Sequence, residues 1–344
     1  MKLTLLFGGQ SYEHEISIVS AITVKQKLST FDLNYVFCDD KHDFYLIEEE
    51  SMKASYFSSY EYKKSQIVTI GNDGFSYKKL FGSNTFKNPV LNIIHGGDGE
   101  DATIASLLEF YSFEFIGPRK AASVFSYDKR YTKYLADARN IKTLSYQEIS
   151  RQNRDVKFDV PFIVKPSTLG SSIGVSIIKE LSQLNYALDV AFEFDNSAIV
   201  EPFIDGVKEY NLAGCKVNGE YIFSIIEEPN KDEFLDFDKK YLDFSRSSAI
   251  NKADISDELE LNLKESFKKV YDELFEGALI RCDFFVIDYE VYLNEINPIP
   301  GSMANYLFED FEKSIRELLV SLPSKKDIKV SYNYINSINQ AKGK

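Results

Sequence analysis

Two apolar runs near the start of the chain each end in glycine and are each followed by a helical pattern. Leu3–Phe7 leads into Gly8-Gly9, after which the pattern predicts a helix over Ile16–Leu28. Val90–Ile94 leads into the turn HGGDGED and a helix predicted over about Ala102–Tyr111. Successive strand–turn–helix units are typical of an α/β layer with a parallel sheet. Such layers bind ligands at the carboxyl ends of their strands, where both glycine turns lie.

The apolar pattern continues to about residue 320 and predicts two boundaries, at Gly117-Pro118 and at Pro202. Residues 44–88 and the polar end from Ser331 show little periodicity and predict no defined elements. The remaining pattern predicts helices over roughly Ala121–Ala138 and residues 257–275, and strands over Phe162–Lys165, Val175–Ile178 and Ser197–Glu201.

The segment from Arg281 to Gly301 predicts a hairpin with strands Arg281–Ile287 and Val291–Asn297. A turn centred on Tyr289 places Asp283 opposite Glu295, and Arg281 opposite Asn297, on one face. By the same alternation that face also carries Phe285, Ile287, Val291 and Leu293.

Two carboxylates facing each other among apolar residues repel, and a cation between them relieves the repulsion. Oxygen donors of this kind suit Mg²⁺ shared with nucleotide phosphates better than zinc. The alternative is a solvated hairpin end with an ordinary Arg–Asp pair.

The composition of the chain argues against several classes of protein and partner. The chain has 344 residues, enough for two or three domains, and 44% hydrophobic with 14% aromatic residues indicates a globular protein. A net charge of -13 argues against nucleic-acid and anionic-membrane partners. Three scattered cysteines without a Cys-x-x-Cys motif fit a reducing compartment and no zinc site. The apolar run in MKLTLLFGG is too short for the core of a signal peptide, so we expect a cytoplasmic protein.

Three further segments each have a functional and a structural interpretation. The loop PSTLGSSIG after Lys165 lacks the Gly-Lys-[Ser/Thr] of a Walker loop, yet its small residues could close over phosphates; it could also be a plain turn. Glu13 could hold a substrate ammonium group or match the dipole of the first helix. His95 could bind a carboxylate or be a buried structural histidine.

Two other features are equally open. Lys231–Arg246 mixes charged and aromatic residues, as solvated surface loops and active-site lids both do. Glu201 ends an apolar strand and could accept a hydrogen bond from an adenine amine or be an ordinary charge at a strand end.

Seven segments, in this order and with suitable gaps, together resemble the D-alanine–D-alanine ligase family of the ATP-grasp superfamily over roughly residues 2–322. They are LFGGQSYEHEIS (6–17), HGGDGED (95–101), SYDK (126–129), VKPSTLGSSIGVS (164–176), EPFIDGVKEYNLA (201–213), FLDFDKKYL (234–242) and RCDFF…LNEINPIPG (281–301).

The resemblance implies an α/β ATP-grasp fold. Residues 1–117 would form an N-terminal Rossmann-like, substrate-binding domain. Residues 118–202 and 203–325 would form the central and C-terminal ATP-grasp subdomains, and 326–344 a polar tail. ATP would lie between the two subdomains.

The resemblance also implies roles for individual residues. Two Mg²⁺ ions, which Mn²⁺ could replace, would be held by Asp283, Glu295 and Asn297. ATP would contact Lys129, Lys165, Ser171, Ser172, Glu201, Phe203, Ile204, Glu209 and Phe285. The D-alanines would contact Glu13, His95, Arg281, Gly301, Tyr306 and Leu307, and catalysis would use Glu13, Ser171, Lys240, Tyr241 and Arg281.

The implied reaction is ATP-dependent ligation of two D-alanines through a D-alanyl phosphate, for peptidoglycan precursor synthesis. The alternatives are a ligase for D-lactate or D-serine and a catalytically silent ATP-binding protein. Lys240-Tyr241 resembles the dipeptide-forming members, and the intact Arg281, Asp283, Glu295 and Asn297 argue against a silent protein. A homodimer is expected by family analogy alone.

Two positions depart from the family pattern. Tyr306 stands where the family has a small hydroxyl residue, so we expect the second D-alanine to bind weakly. Ala102 stands where glycine is common, and we expect a small local shift there.

Overall fold

The computed structural model describes residues 1–229, 252–324 and 328–342. Within these residues the chain forms three β-sheets with helices packed against them. The strands are β1 (Lys2–Gly8), β2 (Asp32–Cys38), β3 (Phe44–Ile47), β4 (Gln66–Gly71), β5 (Gly74–Lys78), β6 (Ser83–Phe86), β7 (Val90–Asn92), β8 (Phe115–Ile116), β9 (Gln147–Ser150), β10 (Phe162–Pro166), β11 (Ser176–Ile178), β12 (Ser197–Pro202), β13 (Lys208–Val217), β14 (Glu220–Glu227), β15 (Ile280–Ile287) and β16 (Glu290–Asn297). The helices are α1 (His14–Lys27), α2 (Ala54–Ser58), α3 (Gly97–Glu100), α4 (Thr103–Phe110), α5 (Lys120–Tyr127), α6 (Lys129–Ala138), α7 (Leu184–Phe194), α8 (Asp257–Tyr271), α9 (Phe311–Leu319) and α10 (Asn333–Lys342).

The first sheet has eight strands in the order β6-β5-β4-β3-β2-β1-β7-β8. β1 pairs in parallel with β2 and β7, and β7 with β8, which confirms the expected parallel layer. The first glycine turn follows β1 directly. Gly8 has a φ of 98°, and a Cβ there would lie 2.1 Å from the carbonyl oxygen of Cys38, so this position requires glycine.

The other half of this sheet is antiparallel and comes from residues 44–88, where the sequence pattern predicted no defined elements. β3 to β6 extend the sheet outward from β2. In β4 and β6 most side chains are exposed or only partly buried. Because strands near a sheet edge bury few side chains, they show little apolar alternation, and this is why the prediction failed.

Helices cover both faces of the first sheet. Phe7 and Val24 belong to the core between β1 and α1, and Met303 from the segment after β16 enters the same core. Ile104 and Leu108 of α4 pack on the opposite face. The segment after β16 is therefore fixed against α1, although the two are distant in sequence.

The second and third sheets each have four strands, in the orders β11-β10-β12-β9 and β14-β13-β15-β16. All their strand pairs are antiparallel. α7 packs against the second sheet. α8 packs against the third, in a core that also receives Ala122 of α5 and Leu135 of α6.

The single helix predicted over Ala121–Ala138 is two helices, α5 and α6, that meet at Asp128. Asp128 has a non-helical φ of -95° and ψ of 117°, and its carboxylate accepts a hydrogen bond from the backbone N–H of Arg130 at 2.9 Å. The prediction missed the break because the apolar pattern runs through it, whereas a capping aspartate starts a new helix. Lys129 consequently lies in a helix N-terminal turn.

Two other helix predictions need correction. α8 ends at Tyr271 rather than at residue 275, because Asp272 leaves the helix with a ψ of 138°. The end of the chain, predicted to be poorly patterned, contains α10. Its apolar side chains, including Tyr334 and Ile338, are exposed, so no core-facing period marks this helix in the sequence.

The 281–297 hairpin has the predicted pairing of its charged residues but a different turn. Asp283 lies opposite Glu295. The turn, however, consists of Asp288 and Tyr289 alone, with φ of 50° and 66°, and a bulge between Asp283 and Phe284 on this strand pair restores the alignment. The extra residue turns Val291 and Leu293 to the opposite face, where they contact the core beneath the sheet rather than the charged residues.

The three cysteines, Cys38, Cys215 and Cys282, are buried and free, as the sequence indicated. No helix within the described ranges is long and apolar enough to cross a membrane.

Candidate active site

Arg281, Asp283, Glu295 and Asn297 lie together on the face of the third sheet away from α8. The Arg281 guanidinium donates to both oxygens of Asp283, at 2.7 Å from Nε and 2.9 Å from Nη2. The side-chain amide of Asn297 donates to Asp283 at 3.0 Å. Burial by itself would lower the pKa of Arg281, but Asp283 outweighs it and raises that pKa well above its usual value. Arg281 is therefore a permanent cation.

The donor atoms here suit a hard divalent cation. Asp283 and Glu295 supply carboxylate oxygens, and Asn297 supplies an amide oxygen. Among the residues that the structure describes, no cluster of three or more His, Cys, Asp or Glu side chains is close enough to hold a metal. A cation at this face would therefore complete its shell with phosphate oxygens or water, and would compete with Arg281 for Asp283.

Glu201 is a buried carboxylate held by two lysines. Lys165 donates to it at 2.6 Å, and Lys133 donates to its other oxygen. Burial would raise the pKa of Glu201, but the two ammonium groups outweigh it and lower that pKa to about 2. Glu201 is thus ionised. Lys165 reaches it from the end of β10, directly before the loop PSTLGSSIG (166–174), which we call the Gly/Ser loop.

Sequence reasoning missed Lys133, although a signal was present. Lys133 follows Lys129 by four residues on α6, so both lie on one helix face. Lys133 is 3% exposed, whereas Lys129 points to the hairpin, with its Nζ 3.9 Å from Glu295. The backbone N–H of Lys129 also donates to the carbonyl of Ser167 at 2.8 Å. The start of α6 thus ties the Gly/Ser loop to the hairpin.

The Gly/Ser loop reaches across to α1. The hydroxyl of Ser171 donates to the carboxylate of Glu13, and a Cβ on Gly170 would lie 3.4 Å from that carboxylate. Ser171 and Ser172 adopt positive φ of 52° and 60°. Glu13 directly precedes α1, and its side chain makes no hydrogen bond that caps the helix.

Beside Glu13 lie a second, mostly buried carboxylate, Glu100, and the buried His95. Burial raises the pKa of Glu13 to about 7, with a further contribution from Glu100, and burial raises the pKa of Glu100 to about 7. Burial also lowers the pKa of His95 to about 4, against the attraction of Glu13. Two carboxylates with raised pKa values and an imidazole with a lowered one form one wall of the site.

His95 was interpreted above either as a histidine that binds a carboxylate or as a buried structural histidine. Its Nε2 lies 2.9 Å from the hydroxyl of Ser20, and its Nδ1 lies 3.8 Å from Glu100. It is 3% exposed. The histidine is therefore buried and held by hydrogen bonds, and it stands in the same wall as Glu13.

The residues expected around adenine and ribose follow Glu201 along the chain. Phe203 and Ile204 come directly after β12, and the backbone N–H of Phe203 donates to the carbonyl of Pro161 at 3.1 Å. Glu209 on β13 is paired with Phe285 on β15. This pair lies two residues along the same strands from Asp283 and on the same face.

The segment Gly301–Leu307 follows the hairpin and carries Tyr306. The phenol oxygen of Tyr306 accepts a hydrogen bond from Nη1 of Arg281 at 3.4 Å. Burial raises the pKa of Tyr306 to about 12 although Arg281 opposes this, so the phenol keeps its proton. The side chain of Leu307 packs against Ala213 and is 1% exposed, which leaves its backbone as the part able to contact a substrate.

Two predicted site residues, Lys240 and Tyr241, lie outside the described residues, as does the segment Lys231–Arg246.

Comparison with known proteins identifies the family of this chain. Family models of the D-Ala D-Ala ligase N-terminus and C-terminus match residues 2–118 and 121–314. A D-alanine–D-alanine ligase from Sulfurimonas denitrificans is 63% identical, with 100% of both chains covered. One from Wolinella succinogenes is 56% identical, also with 100% of both chains covered.

Solved structures give the same family. The crystal structure of the D-alanine–D-alanine ligase from Helicobacter pylori matches with a TM-score of 0.85 and 50% identity, over 95% of this chain and 100% of that chain. A D-Ala:D-Ser ligase from Enterococcus faecalis shares the fold, with a TM-score of 0.75 and 24% identity over 93% of this chain and 97% of that one. With its ATP-grasp fold and full-length similarity, this chain is an enzyme of the D-alanine–D-alanine ligase family.

Proposed function

We propose that this protein joins two D-alanines into D-alanyl-D-alanine, with conversion of ATP to ADP and phosphate, as a step in making peptidoglycan precursors. The observation that carries the proposal is the buried Arg281–Asp283 pair with Asn297 and Glu295 beside it, and Lys129 3.9 Å from Glu295. A permanent cation and two carboxylates on one face, with a lysine from α6 beside them, suit the transfer of a phosphoryl group.

The first step makes a carboxylate reactive. An oxygen of the first D-alanine attacks the γ-phosphorus of ATP, the bond to ADP breaks, and a D-alanyl phosphate results. Lys129 and Lys165 neutralise phosphate charge, and the Gly/Ser loop with Ser171 and Ser172 closes over the phosphates. Glu201, Phe203, Ile204, Glu209 and Phe285 would surround adenine and ribose.

Magnesium ions would act in the transfer of the phosphoryl group to the first D-alanine. We propose that Asp283, Glu295 and Asn297 hold two Mg²⁺ ions, for which Mn²⁺ can substitute. When bound there, such ions would supply positive charge to the phosphates during the transfer. The oxygen-only donor set at the hairpin supports this assignment.

The second step forms the peptide bond. The neutral amine of the second D-alanine attacks the acyl carbon, the carbon–oxygen bond to phosphate breaks, and phosphate leaves. Arg281 donates to the oxygen that becomes negative in the tetrahedral intermediate. Glu13, held by Ser171, faces the ammonium group of the first D-alanine, and His95 its carboxylate.

The second D-alanine would bind along Gly301–Leu307. Tyr306 already accepts a hydrogen bond from Arg281. A phenol in that place fills space that a small hydroxyl would leave open, and this supports weak binding of the second substrate. Lys240 and Tyr241 would belong to a lid that excludes water, because an acyl phosphate hydrolyses readily.

We also propose domain boundaries, a cellular location and an oligomeric state for this protein. We place the domain boundaries at 117, 202 and 325. We expect a cytoplasmic enzyme, without nucleic-acid or membrane partners, and a homodimer by analogy with the family.

The test is an assay of ADP release with identification of the product. D-Alanine should support turnover and yield D-alanyl-D-alanine, and L-alanine should support none. D-Lactate or D-serine added with D-alanine should be incorporated at a minor level. Equal turnover with L-alanine would refute the proposal, and a mixed product dominating near neutral pH would show a different second substrate.

A further inference from the structure

Ser20 on α1 connects two parts of the site that are far apart in sequence. It is 0% exposed. Its hydroxyl oxygen accepts a hydrogen bond from the backbone N–H of Ser302 at 2.9 Å and lies 2.9 Å from Nε2 of His95. His95 also makes a hydrogen bond to the backbone of Ile299. Ser20 and His95 thus hold the chain on both sides of Pro300-Gly301.

The segment held in this way has a strained backbone. Ser302, Met303 and Ala304 have consecutive φ values of 49°, 55° and 48°, in the left-handed region that residues with a Cβ avoid. Such a run persists only where surrounding contacts fix it. Met303 N–H donates to Pro300 O at 2.7 Å, and the Asn305 amide donates to Ser302 O at 2.8 Å. These two bonds lie within the segment, whereas the Ser20 bond ties it to α1.

The position of this segment decides where Tyr306 stands. Tyr306 follows the strained run by two residues and is hydrogen-bonded to Arg281. A shift at Ser302 would therefore move the phenol relative to the guanidinium. Because the hydroxyl of Ser20 has one hydrogen, its bond to Ser302 leaves that hydrogen available for the imidazole of His95.

We propose that Ser20 is a positioning residue that fixes the 301–307 segment and couples it to His95. The inference rests on the proposed function, in which His95 faces the first D-alanine and this segment binds the second. Ser20 would thus set the affinity for the second D-alanine without touching either substrate.

Ser17 provides a matched control on the same helix. It is also 0% exposed, accepts from Gly8 N–H at 2.8 Å and donates to the carbonyl of Ile93 at 2.7 Å. Ser17→Ala removes a comparable pair of buried hydrogen bonds, but none of them reaches the 301–307 segment.

The experiment measures the two D-alanine KM values, kcat, Tm and amide hydrogen exchange for the full-length protein and its variants. Ser20→Ala should raise the second KM by about tenfold, roughly the effect of one lost hydrogen bond, and raise the first KM by a smaller factor through the loss of the bond to His95. Exchange should accelerate in peptides covering 300–307. Ser17→Ala should lower Tm to a similar extent but leave the ratio of the two KM values and that exchange unchanged.

Ser20→Cys keeps the size of the side chain and weakens its hydrogen bonds, so its second KM should lie between those of Ser20→Ala and the wild type. It also serves if Ser20→Ala does not fold. A second KM that stays within twofold of the wild type in Ser20→Ala, or two KM values that rise together with the loss of Tm, would overturn the inference. A wild type that releases no ADP with D-alanine would instead refute the proposed function, and hydrogen exchange would still test the role of Ser20.

Discussion

At the scale of single residues, Glu295 is less neutralised than Asp283, the carboxylate opposite it on the hairpin. Asp283 is bonded by Arg281 and Asn297, whereas among the described residues the one cation within 4 Å of Glu295 is Lys129, at 3.9 Å. We predict that Glu295→Gln lowers D-alanine-dependent ADP release by more than about 100-fold and weakens Mn²⁺ binding, because an amide lacks the charge that a divalent cation needs. Steady-state kinetics and Mn²⁺ titration measure the two effects.

Glu290 on the same strand is the control. It is exposed and pairs with Lys142 at the far end of the hairpin, so Glu290→Gln should leave both measurements within twofold. Near-normal turnover of a folded Glu295→Gln protein would show that the hairpin does not hold the metal.

The pKa values of Glu13 and Glu100 predict how the free energy of unfolding depends on pH. Their folded pKa values are near 7, above the ordinary 4.5. Between those values the folded form retains protons that the unfolded chain has released, so rising pH favours unfolding. We predict that Glu100→Gln stabilises the ligand-free protein at pH 8, by up to roughly 3 kcal/mol, with a smaller gain at pH 6.

Urea unfolding at pH 6, 7 and 8 measures this difference. Glu114→Gln, at an exposed glutamate, should show no gain at any of these pH values. A destabilised Glu100→Gln protein at pH 8, or a gain that does not change with pH, would contradict the assignment of a buried, partly protonated carboxylate.

At the scale of elements, the start of α6 combines a cap with two lysines of the site. Asp128→Ala removes the side chain that accepts from Arg130 N–H, and we expect a loss of about 1–2 kcal/mol of folding free energy. Because Lys129 and Lys133 lie in the helix that Asp128 begins, the KM for ATP should also rise several-fold. Urea unfolding and ATP kinetics measure these effects.

Asp310 caps α9 in the same way, by accepting from Lys313 N–H at 2.9 Å. Asp310→Ala should lower stability similarly and leave the KM for ATP unchanged. An equal change in KM in both variants would mean that it reflects stability alone.

The sequence predicted an element correctly where a particular residue type marks the end of that element. It failed where no residue type marks the change in backbone structure. Gly8-Gly9 marks a strand end that requires positive φ, and the expected strand and helix stand on either side. The bulge near Glu295 left the pairing of Asp283 correct while it reversed the face of Leu293. A one-residue insertion in one strand has no compositional mark, so alternation alone could not reveal it.

At the scale of the whole molecule, the site is assembled from three sheets. Glu13 and His95 come from the segments that follow β1 and β7 of the first sheet, Lys165 from the second sheet and Arg281 from the third. Motif order predicted these residues. The role of Lys133 could have been predicted from its helical spacing from Lys129. The role of Ser20 could not, because its partner Ser302 is 282 residues away and only folding brings the two together.

The transfer of ¹⁸O from D-alanine to phosphate tests the central claim most directly. D-Alanine labelled with ¹⁸O in both carboxylate oxygens is incubated with ATP, Mg²⁺ and the protein, and the products are analysed by mass spectrometry. Attack by the carboxylate on the γ-phosphorus followed by attack of the amine on the acyl carbon predicts ADP, D-alanyl-D-alanine and phosphate with one ¹⁸O per turnover. Unlabelled phosphate, or AMP with pyrophosphate, would contradict ligation through a D-alanyl phosphate.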